Sequence, residues 1–116
     1  MQELIKASKA LSDETRLRIL NILLERECCV CEVMQALEIS QSRASRNLGI
    51  LEDAGFLTAK REGAWVLYSL SERSENRFAA ALTPLFKEFF GDSEVLVRDR
   101  ERLSHSVRVG PGCGKG

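Results

Sequence analysis

Apolar residues recur at helical spacing through most of the chain and give way to alternation over one short interval. Leu17, Ile19, Leu20, Leu23 and Leu24 predict a core helix over 13–26, with Ser12 as N-cap and Asp13 and Glu14 in a first turn where the helix dipole favours acids. Ahead of it, Leu4, Ile5, Ala7 and Ala10 predict a first helix over 2–10. Val30, Val33, Met34 and Leu37 mark a short helix over 30–37, and Glu38 and Ile39 make the turn after it. Ser40 is the next N-cap, and its helix runs to Ala54, where Gly55 stops it.

Beyond Gly55 the pattern turns toward strand composition over 56–62 (FLTAKRE) and 64–70 (AWVLYSL). This predicts a β-hairpin turning at Glu62-Gly63, with Trp65 and Tyr68 packing it onto the core. Phe78, Leu82, Leu85, Phe86 and Phe89 restore helical spacing over 73–90. Pro84 either kinks that helix or splits it, with Thr83 capping a second piece. Residues 92–109 are charged and allow a marginal helix, and the final GPGCGKG is flexible by composition. The fold class is mainly α with a β-hairpin. We expect one domain over 1–91 for DNA binding and dimerisation, with 92–116 as a partly flexible C-terminal extension.

The polar faces point to function. On the 41–54 helix, Ala44, Leu48 and Leu51 form one stripe, and the opposite side carries no acid before Glu52. Gln41, Ser42, Arg43, Ser45, Arg46 and Asn47 are the residue types that pair with base edges and phosphates. Two short helices joined by a tight turn, the second polar-faced, read as a helix-turn-helix, and a hairpin directly after it reads as a wing. Lys60 and Arg61 near the hairpin tip are candidates for phosphate or minor-groove contact. Arg16 and Arg18 lie off their apolar stripe, which predicts a solvated face, with a phosphate contact as the other reading. The aromatic 73–90 segment exposes more apolar surface than one small core covers, so dimerisation through it and the first helix is expected.

Composition sharpens this only locally. Seventeen Lys and Arg balance seventeen Asp and Glu in 116 residues, so no general electrostatic pull toward nucleic acid exists. No apolar run is long enough to span a bilayer and no export signal opens the chain, which predicts a cytoplasmic protein with no membrane partner. No catalytic constellation is present, and the single His105 has no nucleophile partner, so enzyme function is not expected. Clustered thiols in such a chain are more often metal-binding or redox-active than bridged, and Cys28, Cys29 and Cys31 fall within four residues of one another.

Four stretches together carry a family resemblance: ALSDETRLRIL (10–20), ECCVCEVMQAL (27–37), ISQSRASRNLGILEDAGFL (39–57) and KREGAWVLYSL (60–70). Over roughly 4–90 the chain resembles the ArsR/SmtB family of winged helix-turn-helix metalloregulators, of the arsenic-responsive repressor type. The resemblance implies a homodimer on operator DNA, released when As(III) or Sb(III) binds thiolates, and control of an arsenic-resistance operon that includes its own gene. It places Cys29 and Cys31 in the inducer site. Soft thiophilic ions suit thiolates, and As(III) takes three of them, whereas zinc takes four ligands. Met34 stands where the family pattern has its third cysteine. The third ligand is then Cys28, adjacent in sequence and favoured because it needs no long-loop closure, or Cys113 from the tail, or an exogenous group completing a two-thiolate site. The family's other sensor site, on the last long helix, uses His, and 73–90 contains none. A redox-responsive thiol repressor is the alternative function.

Overall fold

The computed structural model describes residues 1–91 and 93–109. Four helices come first: α1 Gln2–Leu11, α2 Glu14–Leu23, α3 Val30–Leu37 and α4 Gln41–Asp53. The cap of α2 is Asp13, whose carboxylate accepts the Arg16 N–H at 3.1 Å, and not Ser12, which closes α1 by donating its hydroxyl to the Lys9 carbonyl at 2.8 Å. Ionised Asp is the better acceptor at a positive helix end. Ser40 caps α4 as expected, accepting from the Arg43 N–H at 3.2 Å. At the other end Gly55 has φ +92°, and a Cβ there would stand 2.5 Å from Ser74 Oγ and 2.9 Å from Asn76 Cβ, so glycine is required on two counts.

Strands β1 Leu57–Glu62 and β2 Trp65–Leu70 pair antiparallel, from Leu57 opposite Leu70 to Glu62 opposite Trp65. The turn is therefore Gly63-Ala64, one residue later than expected, with Gly63 at φ +61°. Cys28 adds a bridge to this hairpin, its N–H donating to the Tyr68 carbonyl at 3.0 Å and its carbonyl accepting the Tyr68 N–H at 2.8 Å. The entry into α3 is thereby sewn to the wing.

Pro84 splits the next segment. Helix α5 Arg77–Leu82 ends in a 3-10 turn over Thr83–Leu85, and α6 Phe86–Phe90 follows. Pro lacks the N–H that a continuous helix needs at this point. Asn76 caps α5 and donates to the carbonyls of Glu3 and Ala54, tying α1, α4 and α5 together.

Helix α7, Glu94–Ser104, lies against α2 and α3. Its Asp99 and Leu103 are buried, so this part of the expected extension shares the core of 1–91 instead of trailing from it. The core runs through Ile19, Leu20, Ile22, Val33, Leu48, Leu51 and Phe56, with Phe56 and Phe86 rings 5.8 Å apart. No described helix is long and apolar enough to cross a membrane.

Candidate nucleic-acid interface and thiol site

The outer face of α4 presents Ser42, Arg43 and Arg46 to solvent, with Gln41 and Ser45 half-buried beside them. Gln41 donates to Ser45 Oγ at 3.0 Å, and Arg43 reaches back to Thr15 Oγ1 at 2.8 Å. Asn47 does not share this face. It is 3% exposed, its amide donates to the Arg43 carbonyl at 2.9 Å, and its Oδ1 accepts from Arg16 Nη1 at 2.9 Å. It is burial between the helices that sets Asn47 apart from the exposed residues expected beside it at a base edge. On the wing, Lys60 and Arg61 are exposed, with Lys60 3.3 Å from Glu62.

Arg16 and Arg18 are not a solvated face. Arg16 donates to the carbonyls of Ala10 and Lys9 as well as to Asn47, joining α1, α2 and α4. Arg18 forks onto the fully buried Asp99 and also donates to the Leu37 carbonyl, joining α2, α3 and α7. Its hydrogen bond to Asp99 raises its pKa further above the ordinary value. Both arginines are spent on helix packing.

The thiols divide between two apolar clusters. Cys29, at 0% exposure, and Cys31, at 3%, sit with Leu67 under the half-buried Trp65. Their Sγ atoms are 2.9 Å apart, well beyond the roughly 2.05 Å of an S–S bond. They form a buried dithiol at the N-terminus of α3. Cys28 belongs instead to the main core, its Sγ 3.5 Å from the Arg26 carbonyl. Burial, reinforced by the charge of Glu32, pushes its pKa up to about 12, so it is a neutral thiol at pH 7. Neighbouring residues on an extended stretch point their side chains to opposite sides, which is why adjacency in sequence does not bring Cys28 to the pair. Among the described residues no three His, Cys, Asp or Glu gather as a metal site, and Cys28 stands in a different cluster from Cys29 and Cys31. Cys113 lies outside the described residues.

The dithiol is framed by groups the sequence reading missed. Glu32 Oε1 accepts the Cys29 N–H at 2.9 Å, Oε2 accepts Arg26 Nη1 at 2.7 Å, and Arg108 Nε reaches Oε1 at 3.0 Å. Burial works against the Glu32 charge, but the Cys29 N–H and the two guanidinium groups outweigh it and hold the pKa below the usual carboxylate range. Glu at the third position after a helix cap is a readable capping signal, obscured here by Cys in the cap position. Gln35 clasps both backbone polar groups of Val107, accepting its N–H at 3.0 Å and donating to its carbonyl at 2.7 Å. No pattern announces that contact across 72 residues. The Trp65 indole N–H is buried with no acceptor among the described residues, in the same cluster as the two thiols.

Fold and site together define a winged helix-turn-helix chain with a buried dithiol opening the helix that precedes the polar-faced one. Residues 13–59 match the bacterial regulatory protein, arsR family. The arsenic resistance transcriptional regulator ArsR1 of Pseudomonas putida is 51% identical over 63 residues, covering 53% of this chain and 49% of the relative. The arsenical resistance operon repressor of Escherichia coli is 46% identical over 68 residues, covering 58% of each. The chain thus spans about half the length of the curated relatives it matches. Among solved structures, HlyU from Vibrio cholerae superposes with a TM-score of 0.64 at 31% identity, covering 77% of this chain and 92% of that one. The chain belongs to the arsR family of bacterial regulatory proteins.

Proposed function

We propose that this chain is an arsenite- or antimonite-responsive transcriptional repressor of the cytoplasm, which binds operator DNA as a homodimer and leaves it when the ion binds Cys29 and Cys31. The observation that carries this reading is the dithiol: two buried sulfurs 2.9 Å apart, opening α3, one turn ahead of α4. Sulfurs this close both ligate one soft ion without moving the backbone far, and Trp65, which packs on the same cluster, holds a buried N–H that has no acceptor among the described residues. The names of the relatives in Pseudomonas putida and Escherichia coli support the arsenic reading.

Gln41, Ser42, Arg43, Ser45 and Arg46 approach the major groove, while Lys60 and Arg61 on the wing meet phosphates. Exposed Leu4 and Ile5 on α1, Phe78 on α5 and Phe89 on α6 supply the apolar surface for the partner copy. Coupling runs through Cys29. Its Sγ binds the ion while its N–H is held by Glu32, so drawing the sulfur toward an ion pulls on the first turn of α3. Helix α3 packs on α4, and half-site spacing in a two-fold dimer tolerates little movement of that helix.

The test is an operator-shift titration with and without arsenite. The paired substitution Cys29→Ser with Cys31→Ser is expected to keep operator binding and ignore arsenite; release as complete as in the parent protein would remove the dithiol from the sensor. A second reading, release by oxidation of the same pair, is favoured by the 2.9 Å separation, and peroxide-driven release without an arsenite response would establish it instead.

A further inference from the structure

Resting on the operator-binding reading of α4, we propose that the groove between α1 and α4 seats a backbone phosphate of the operator, with Lys9 as the side chain that meets it. The contact lies outside both the polar face of α4 and the wing. The groove is open and holds about 700 Å³. Lys6, Lys9, Arg16 and Arg46 line it, and Asp53 is the one carboxylate among the lining residues. In a chain whose Lys and Arg balance its Asp and Glu, this positive charge is a local feature of the surface. Lys6 answers Asp53 at 3.2 Å. Arg16 spends its donors on the Ala10 and Lys9 carbonyls and on Asn47, all neutral acceptors, so its charge is hydrogen-bonded but not cancelled. Lys9 and Arg46 are exposed, and among the described residues neither makes an ion pair. Because Arg46 also belongs to the face that approaches the major groove, the α1–α4 groove is continuous with the surface proposed for base contact.

Gly49 is an independent sign. It lines the groove from the interior of α4, where glycine destabilises a helix relative to alanine. A Cβ there would meet nothing within 4 Å, and its φ is not positive, so neither packing nor backbone conformation calls for a glycine. Bare backbone on an exposed helix face admits close approach from outside the chain. Ile50 beside it is exposed and offers apolar surface to a deoxyribose. An apolar cover would bury the groove's cations unanswered, whereas a phosphodiester brings the charge they lack together with a sugar for Ile50.

Salt-dependent binding of the operator duplex by the full chain tests this. Lys9→Ala is expected to lower the slope of log affinity against log salt by about 1 and to weaken binding about fivefold at about 0.15 M salt, with the melting temperature unchanged. The same loss is expected on unrelated duplex, because a phosphate carries no sequence information. Neutral methylphosphonates placed one at a time along the operator locate the contact: at one position in each half-site the parent protein loses about fivefold and Lys9→Ala loses nothing further. Gly49→Leu fills the groove and suits a helix better than glycine, so it is expected to weaken operator binding about tenfold at a melting temperature no lower than the parent's. An unchanged slope in Lys9→Ala, or equal losses in parent and variant at every methylphosphonate, would overturn the assignment. Dissociation of the dimer in Gly49→Leu, followed by sedimentation, would overturn it in favour of a second copy as the occupant. The operator reading fails differently, by a parent protein that binds operator no more tightly than unrelated duplex.

Discussion

Arg18 grips Asp99 through two parallel hydrogen bonds, Nε to Oδ2 at 2.7 Å and Nη2 to Oδ1 at 2.9 Å, across 81 residues of sequence. Asp99 is fully buried, and Arg102 Nη2 adds a third donor at 2.7 Å. Such a group survives burial only because all of its charge is answered, and its removal leaves the Arg18 guanidinium, 17% exposed, without its partner. The relationship explains why α7 is part of the domain despite having little apolar surface of its own.

Asp99→Ala is therefore expected to destabilise the fold by about 3–5 kcal/mol, the usual cost of breaking a buried ion pair on one side. Urea unfolding followed by circular dichroism measures it. A loss within the range of ordinary surface substitutions would mean that α7 contributes little to the core.

Glu32 gives a pH dependence with a definite sign. Its pKa in the fold is depressed, so its contribution to stability is fully present above the ordinary Glu value and is lost as pH falls through the depressed one. Glu32→Gln removes about 1.5–3 kcal/mol at pH 7, the range for hydrogen bonds to a charged group. The gap between parent and variant should narrow progressively as the solution is acidified below the ordinary Glu range. Parallel unfolding curves at neutral and acid pH, with an unchanged gap, would contradict the assignment.

Cys28 should resist a thiol reagent in the folded protein. With its pKa pushed up to about 12 and no exposed surface, Cys28 stays unreactive at pH 7 in the folded protein. Cys28→Ala costs about 1 kcal/mol as a small core cavity and leaves arsenite binding intact. Trp65 is the single tryptophan and packs on Cys29 and Cys31, so its fluorescence is expected to report arsenite binding in this variant as in the parent.

Two neighbours on α4 separate DNA contact from packing. Arg46→Ala is expected to weaken operator binding about 10- to 100-fold with little change in stability. Asn47→Ala should lower the melting temperature, because Arg16 loses an acceptor between α2 and α4. Lys60→Ala acts on the salt dependence, reducing its slope by about 1 if the side chain sits on phosphate. Equal loss of operator affinity in all three at matched folded fractions would place Asn47 back at the interface.

The elements were legible because apolar spacing records which face of each segment is buried. The stripe of Ala44, Leu48 and Leu51 named the inner side of α4, and Ser40 and Gly55 named its ends. Polar residues were less legible, because an arginine on an amphipathic helix reads the same whether it faces water or a buried carboxylate. Arg16, Arg18 and Asn47 all passed as surface and are all engaged in packing.

By itself the sequence determined the order of helices and hairpin and the family motifs, since each depends on local spacing or on residue types within a few positions, and it was the resemblance those motifs carry that singled out Cys29 and Cys31. Only the tertiary structure decided that Cys28 faces away from that pair, that Asp99 answers Arg18, and that the Val107 carbonyl lies against Cys31. Those facts depend on contacts across tens of residues, which are set by how helices pack and leave no periodic trace in the chain.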